Sequence, residues 1–218
     1  MEKPKVKICC IQSVKEAELA IQYGASALGL VSEMPSGPGV ISLEEIAEIV
    51  RYIPKSVDTF LLSSRLTADE IITQQKSCGT NTIQIVDSVD TEVYIKLKSK
   101  LPAVKLVQVI HVSDKDSVAE AVSASEYVDA ILLDSGNQKL EVKELGGTGR
   151  THDWSLSKSI VESVNVPVYL AGGLKSDNVV DAVRTVHPYG IDLCSGVRKY
   201  GKLNTNLLKE FFHKVDSV

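Results

Sequence analysis

The 218-residue sequence lacks several features that would place it in a specialised class of protein. Its four cysteines form no Cys-x-x-Cys pair, and its four histidines show no His-x-x-x-His spacing, so the sequence does not favour a zinc site. No apolar run approaches the ~18 residues of a membrane span, and the charged N-terminus does not resemble a signal peptide. We therefore expect a soluble, cytoplasmic protein that does not bind membranes.

An excess of positive charge is also missing. Lys and Arg total 24 against 28 Asp and Glu, which gives a net charge of −4, and the chain has only three Phe and one Trp. Because nucleic-acid binding depends on clustered cations, we expect no nucleic-acid partner. Hydrophobic residues make up 44% of the chain, which is enough for a full core and excludes a disordered protein.

Short apolar segments alternate with amphipathic segments along the whole chain. Near-continuous apolar runs are typical of parallel strands that are buried on both faces. The predicted strands are Val6–Cys10, Ala27–Val31, Thr59–Leu62, Thr82–Val86, Val104–Ile110, Val128–Leu133, Val166–Ala171 and Gly190–Cys194. The clearest predicted helices are Val14–Tyr23, Leu43–Tyr52, Ala68–Cys78, Glu92–Ser99 and Leu207–Val215. Ser42 with Glu45 has the spacing of a capping box, and Thr67 and Ser176 give similar start signals.

Eight strand-like runs give a repeat of about 27 residues, the size of one βα unit. This repeat predicts an α/β protein in which residues 1–218 form a single (β/α)8 TIM barrel. The alternative is an open doubly wound sheet, which normally has a Gly-rich turn after its first strand. Here Cys9 and Cys10 follow that strand, and no Pro/Gly/Ser-rich linker divides the chain.

Chemistry in such a barrel is located at the carboxyl ends of the strands. The residues at these ends include Cys9, His111, Asp134, Gly172, Gly173, Ser195 and Gly196. Small residues after strands 7 and 8 would expose backbone N–H groups to a phosphate, so we predict that Gly172, Gly173, Ser195 and Gly196 bind one. The alternative is that these glycines only form tight turns.

A second glycine-rich segment, Gly146-Gly-Thr-Gly-Arg-Thr-His-Asp-Trp154, follows strand 6. We predict that Gly147, Thr148 and Gly149 close over the same phosphate. The alternative is a mobile loop, since such a segment on its own is a weak signal.

Five segments in this order carry a resemblance to a known family. They are Lys7-Ile-Cys-Cys-Ile-Gln, Leu132-Leu-Asp-Ser, the segment from Gly146 to Trp154, Leu170-Ala-Gly-Gly-Leu and Asp192-Leu-Cys-Ser-Gly-Val. Together they resemble the phosphoribosylanthranilate isomerases of tryptophan biosynthesis over essentially the whole chain. The family signature Lys-Ile-Cys-Gly is matched except at Cys10, which we expect to be a small packing residue.

The resemblance implies an Amadori rearrangement of a phosphosugar substrate without a metal or organic cofactor. An acid protonates the ribose ring oxygen as the ring opens, and a base then removes the proton from C2. The resemblance assigns the base to Cys9 and the acid to Asp134. The alternatives are a buried core thiol at Cys9 and a turn or cap residue at Asp134.

Besides Cys10, four further sites depart from the family pattern. Gly39 stands where the family has an Arg that meets the anthranilate carboxylate, and Val86 replaces a His. The family's Phe-Val-Asn stretch has become Leu61-Leu-Ser-Ser-Arg65, and its Ser-Gly-Val-Glu has become Ser195-Gly-Val-Arg198. We expect contacts to the aglycone from Arg65, His111 or Arg198. The alternative is that each of them is a solvated loop residue.

Three functions fit this pattern. The first is a phosphoribosylanthranilate isomerase with altered anthranilate contacts. The second is a related isomerase or lyase that acts on another phosphosugar, and the third is a catalytically silent phosphosugar-binding barrel. The phosphate loops suit all three functions. Retention of Cys9 and Asp134 favours an enzyme, and the full-length resemblance favours the first function.

Overall fold

The computed structural model of the protein describes residues 3–136, 143, 145 and 149–218. Eight parallel strands close into a barrel in the order β1 to β8, as the sequence predicts. The strands are β1 Lys5–Ile8, β2 Ala27–Val31, β3 Asp58–Ser63, β4 Thr82–Ile85, β5 Lys105–His111, β6 Ala130–Asp134, β7 Val168–Leu170 and β8 Gly190–Leu193. The barrel closes where β8 pairs with β1, with Leu193 opposite Ile8.

Among the described residues, eight α-helices surround the barrel. They are α1 Val14–Tyr23, α2 Leu43–Tyr52, α3 Ala68–Cys78, α4 Thr91–Lys100, α5 Asp116–Ser125, α6 Trp154–Ser163, α7 Val179–Val186 and α8 Thr205–Val215. A single 3₁₀ turn, Ser195–Val197, and a short hairpin, β9 Arg198–Lys199 with β10 Lys202–Leu203, separate β8 from α8. Within the described ranges, every helix is too short or too polar to traverse a lipid bilayer.

The predicted starts of α1, α2 and α3 are correct, and each of these helices has a side-chain cap, whereas α8 begins at Thr205 rather than at the predicted Leu207. Ser42 and Glu45 form the predicted capping box at α2, and the N–H of Glu70 donates to Oγ1 of Thr67 at the start of α3. The start signal at Ser176 is wrong, because α7 begins at Val179 with Asn178 as its N-cap residue. The side chain of Asn178 instead closes the preceding turn by donating to the carbonyl oxygen of Gly173 at 3.0 Å.

Two layers of buried side chains position the cavity. The outer layer lies between strands and helices and is aliphatic, with fully buried residues such as Ile8, Leu28 and Ile83. The inner layer fills the barrel and mixes apolar side chains such as Phe60 and Tyr169 with charged ones. The residues of this inner layer nearest the carboxyl ends of the strands form the floor of a cavity.

Candidate active site

A cavity lies at the carboxyl ends of the strands. Its lining includes six of the residues predicted from the sequence: Cys9, Asp134, Gly149, Gly172, Gly173 and Ser195. Gly196 lies directly beside it, next to Ser195. The predicted residues Gly147 and Thr148 lie outside the described part of the chain.

Cys9 follows β1 and is buried, with 6% of its surface exposed. Its N–H donates to the carbonyl oxygen of Leu193 at 2.9 Å, which continues the pairing of β1 with β8. A Cβ atom built on Gly29 would lie 2.6 Å from Sγ of Cys9 and 3.1 Å from Nζ of Lys7. The thiol and the ammonium group therefore share the space left by the missing side chain of Gly29.

Asp134 ends β6 on the same cavity. The N–H of Ser135 donates to its Oδ1 at 2.7 Å and fixes the carboxyl group. Burial raises the pKa of Asp134 above its ordinary value, and the negative charge of Asp192 raises it further. The Ser135 hydrogen bond and the positive charges of His111 and Lys7 oppose this shift without cancelling it. A carboxyl group with a raised pKa is suited to donate a proton.

A buried ion pair lies below these two residues. Nζ of Lys7 is 2.9 Å from Oδ2 of Asp192 and 5.1 Å from the centre of the Phe60 ring. Burial alone would lower the pKa of Lys7, but the negative charges of Asp192 and Cys9 outweigh it, so the pKa is raised and Lys7 stays charged. Asp192 itself lines the cavity. Sequence reasoning missed this pair as site residues, although charged residues at inward-facing positions of apolar strands were a visible signal.

Three loops, after β6, β7 and β8, meet at the rim of the cavity. Gly173 has φ 60°, and a Cβ atom there would lie 2.7 Å from the carbonyl carbon of Arg150. A Cβ atom on Gly196 would lie 2.1 Å from the carbonyl oxygen of Leu174. Only glycine permits this approach between the loops after β6, β7 and β8. Within the described ranges, the N–H groups of Gly172, Gly173 and Ser195 donate to no protein acceptor, so they are available to an anion.

The expected aglycone contacts at Arg65, His111 and Arg198 do not line this cavity. Arg65 forms an ion pair with Glu33 on the outer rim. Nε2 of His111 lies 3.0 Å from the carbonyl oxygen of Val86. Arg198 forms a buried ion pair with Glu16. Each side chain is held by a protein partner that the sequence did not identify.

Two further cysteines, Cys10 and Cys194, join Cys9 on the cavity wall, and both were left out of the predicted site. All four cysteines are free thiols. In the part of the chain that the structure describes, no group of three or more His, Cys, Asp or Glu residues is arranged to hold a metal ion.

The fold is a closed (β/α)8 barrel, and a thiol, a carboxyl group and glycine-rich loops surround one cavity at the carboxyl ends of its strands. This arrangement is typical of TIM-barrel enzymes. Comparison with known proteins narrows this class. The sequence profile of the family described as N-(5'phosphoribosyl)anthranilate (PRA) isomerase matches residues 6–214. The chain belongs to this family.

Curated relatives and solved structures agree with this placement. The chain is 32% identical to the N-(5'-phosphoribosyl)anthranilate isomerase of Methanosarcina acetivorans, over 98% of this chain and 93% of the relative. It is 31% identical to the enzyme of the same name from Methanocella arvoryzae, over 97% of each. The phosphoribosyl anthranilate isomerase of Thermotoga maritima superposes with a TM-score of 0.85 at 26% identity, over 99% of this chain and 100% of that one.

A further solved phosphoribosyl anthranilate isomerase contains reduced 1-(o-carboxyphenylamino)-1-deoxyribulose 5-phosphate. It superposes with a TM-score of 0.82 at 24% identity, over 99% of this chain and 100% of that chain. At this identity the likeness shows the shared fold.

Proposed function

We propose that this chain is a cytoplasmic phosphoribosylanthranilate isomerase, with residues 1–218 folded as one barrel domain. It converts N-(5'-phosphoribosyl)anthranilate to 1-(o-carboxyphenylamino)-1-deoxyribulose 5-phosphate in tryptophan biosynthesis. The observation that carries this proposal is that Cys9 and Asp134 line one cavity together with free N–H groups of the loops after β7 and β8.

Asp134 acts first, as the general acid. Its raised pKa keeps the carboxyl group protonated at a higher pH than an exposed aspartate. The proton passes to the ribose ring oxygen as the bond between that oxygen and C1 breaks. The nitrogen lone pair forms the C1–N double bond, and the product of this step is an open-chain Schiff base.

Cys9 acts second, as the general base. It removes the proton from C2 of the Schiff base. The electron pair of that bond forms the C1–C2 double bond while the π pair of the C1–N bond returns to nitrogen, which gives an enol-amine. Nζ of Lys7 lies beside Sγ against Gly29, so its positive charge offsets the negative charge of the thiolate. Transfer of a proton to C1 and loss of the proton on the C2 hydroxyl then give the ketone.

The phosphate group supplies binding energy away from the reacting atoms. The N–H groups of Gly172, Gly173 and Ser195 are the donors, and Gly149 approaches Ser195 from the loop after β6. We propose that Gly147 and Thr148 complete this binding site and that Gly196 permits the close packing of its loops. A substrate held by its phosphate places C1 and C2 toward Cys9 and Asp134.

Turnover by the purified full-length chain tests this proposal. We expect it to form the deoxyribulose product from N-(5'-phosphoribosyl)anthranilate and to restore growth without tryptophan in a strain that lacks this isomerase. An Asp134→Asn variant is the matched control and should do neither. Absence of both product and growth, from a folded chain that still binds ribose 5-phosphate, would overturn the proposal.

A further inference from the structure

Cys10 has a backbone conformation that side chains rarely adopt. Its φ is 60°, in the left-handed region that favours glycine, and only two other non-glycine residues in the described ranges, His187 and Tyr200, share a positive φ. Cys10 also lines the cavity, directly after the general base. A strained residue at such a place persists only where the surrounding structure holds it.

Arg198 holds the backbone of Cys10. Its Nη2 donates to the carbonyl oxygens of Cys10 and, at 3.4 Å, of Cys9. The guanidinium group is fixed in turn by Glu16, which accepts from Nη1 at 3.0 Å and from Nη2 at 2.9 Å. Both side chains of this pair are largely buried. The turn after β1 is therefore clamped by a rigid, charged group.

The thiol of Cys10 is held as well. Hydrogen bonds with the thiols of Cys194 and Cys9, together with burial, raise the pKa of Cys10 above its ordinary value. Cys10 is therefore a neutral residue of the cavity wall.

The fixed side chain of Cys10 occupies the space beside Gly39, in the loop after β2. A Cβ atom on Gly39 would lie 2.5 Å from Cβ, 2.9 Å from Cα and 3.1 Å from Sγ of Cys10. Two of these are atoms that no rotamer change can move. The closest contact is with the side chain of Cys10, which is therefore the main steric obstacle to a side chain at position 39, where a φ of 82° also favours glycine.

The loops that hold the phosphate follow β7 and β8, so the aglycone lies toward the opposite strand ends. The lining there is mostly apolar: Met34, Pro38, Leu62 and Val86 line it together with the polar Ser36 and Gln84. Among the described residues that line the cavity, none is a Lys, Arg or His.

We propose that Cys10 determines the aglycone specificity of the site, because it fills the space beside Gly39 and so excludes a cationic side chain from that position. This inference rests on the proposed isomerase function. The substrate class is an N-(5'-phosphoribosyl) arylamine that is recognised through its phosphate and its aromatic ring. The carboxylate of the aglycone contributes little to recognition.

Two substrates test this proposal: N-(5'-phosphoribosyl)anthranilate and its uncharged analogue N-(5'-phosphoribosyl)aniline. For the wild-type chain we expect kcat/KM values within about threefold of each other. Gly39→Arg alone should give no new preference, since Cys10 blocks the arginine. Cys10→Gly combined with Gly39→Arg should favour the anthranilate substrate by about tenfold or more, as a charge-assisted hydrogen bond to the carboxylate would.

The outcomes separate the two proposals. Wild-type turnover of both substrates with a preference above about tenfold for the anthranilate would overturn the role of Cys10 and leave the isomerase function standing. The same holds if Gly39→Arg alone gains as much preference as the double variant. Turnover of neither substrate would overturn the isomerase function itself.

A stability cycle tests the steric argument independently of activity. Gly39 and Gly79 both have positive φ, at 82° and 68°, but a Cβ atom on Gly79 meets nothing within 4 Å. Gly39→Ala should therefore lower the Tm more than Gly79→Ala does. In a Cys10→Gly background the extra loss at Gly39 should become smaller, because the contacts with Cβ and Sγ are removed while the contact with the Cα atom remains. Equal losses in the wild-type background would contradict the proposed contact.

Discussion

The Sγ atom of Cys9 lies 2.6 Å from the point where a side chain on Gly29 would begin. Real Cβ atoms do not come so close to sulfur, so the position of the thiol depends on a glycine in the neighbouring strand. Lys7 uses the same space, since its Nζ lies 3.1 Å from that point.

Gly29→Ala should therefore displace the thiol and reduce kcat by about 100-fold or more, because an error of about 1 Å in a catalytic group has an effect of this size. The binding of ribose 5-phosphate should change little, since the phosphate loops are on other strands. Steady-state kinetics with Gly79→Ala as the control would measure this. A kcat close to that of the wild type would mean that Cys9 does not act from its observed position.

The charges around Asp134 predict opposite shifts of the pH–rate profile. Because the acid must be protonated, kcat falls as pH rises through its pKa. Asp192→Asn removes a charge that raises this pKa and leaves Lys7 uncompensated, so the basic limb should move to lower pH. His111→Gln removes a charge that lowers the pKa, and the limb should move to higher pH.

The measurement is kcat against pH for the two variants, with circular dichroism to confirm folding at each pH. Loss of the Lys7 partner also destabilises Asp192→Asn by about 3–5 kcal/mol, so its profile is best recorded at low temperature. Shifts of both variants in the same direction would argue against Asp134 as the titrating acid.

Replacement of Gly196 should lower the affinity of the site for a phosphate group. A Cβ atom there would lie 2.1 Å from the carbonyl oxygen of Leu174, so Gly196→Ala should push the loops after β7 and β8 apart. We expect the Kd for ribose 5-phosphate to rise about tenfold or more, as the loss of one or two hydrogen bonds to a charged group would produce. Gly201→Ala is the control, since a Cβ atom there meets nothing within 4 Å. An unchanged Kd in a folded Gly196→Ala protein would count against this binding site.

His152 should make the free energy of unfolding decrease under mildly acidic conditions. Burial lowers its pKa to about 4, whereas the unfolded chain has a value of about 6.5. The unfolded state therefore takes up a proton first as pH falls, and about 3 kcal/mol of stability present above pH 6.5 is lost by pH 4. Urea unfolding between these pH values should show a shallower loss for His152→Gln, but no change for the exposed His213→Gln.

Much of the fold follows from local signals in the sequence. The predicted bounds of α1, α2 and α3 agree with the structure because Ser13, Ser42 and Thr67 each cap a helix with a side-chain oxygen. Strand ends were less accurate. The predicted run Val166–Ala171 extends beyond β7 at both ends, whereas Val128–Leu133 begins before β6 and stops one residue short of its end at Asp134. Hydrogen-bond register, rather than hydrophobicity, decides where a strand ends.

The site was only partly predictable for a different reason. Cys9 and Asp134 stand at strand ends, and a βα repeat brings all such ends together. The partners of charged residues depend on tertiary contacts, so the sequence could not show that Arg198 is held by Glu16 or that Lys7 pairs with Asp192. The left-handed backbone conformation of Cys10 is held by a tertiary contact with Arg198, so the sequence could not show it either.

The most direct test of the account separates chemistry from binding at the two proposed catalytic residues. Cys9→Ala and Asp134→Asn should each lower kcat for N-(5'-phosphoribosyl)anthranilate by about 10²- to 10⁴-fold, because each removes a proton-transfer group. The Kd for ribose 5-phosphate should stay within about twofold of the wild-type value, since neither residue belongs to the phosphate loops. A Cys9→Ala protein that binds ribose 5-phosphate normally and retains a wild-type kcat would contradict the account.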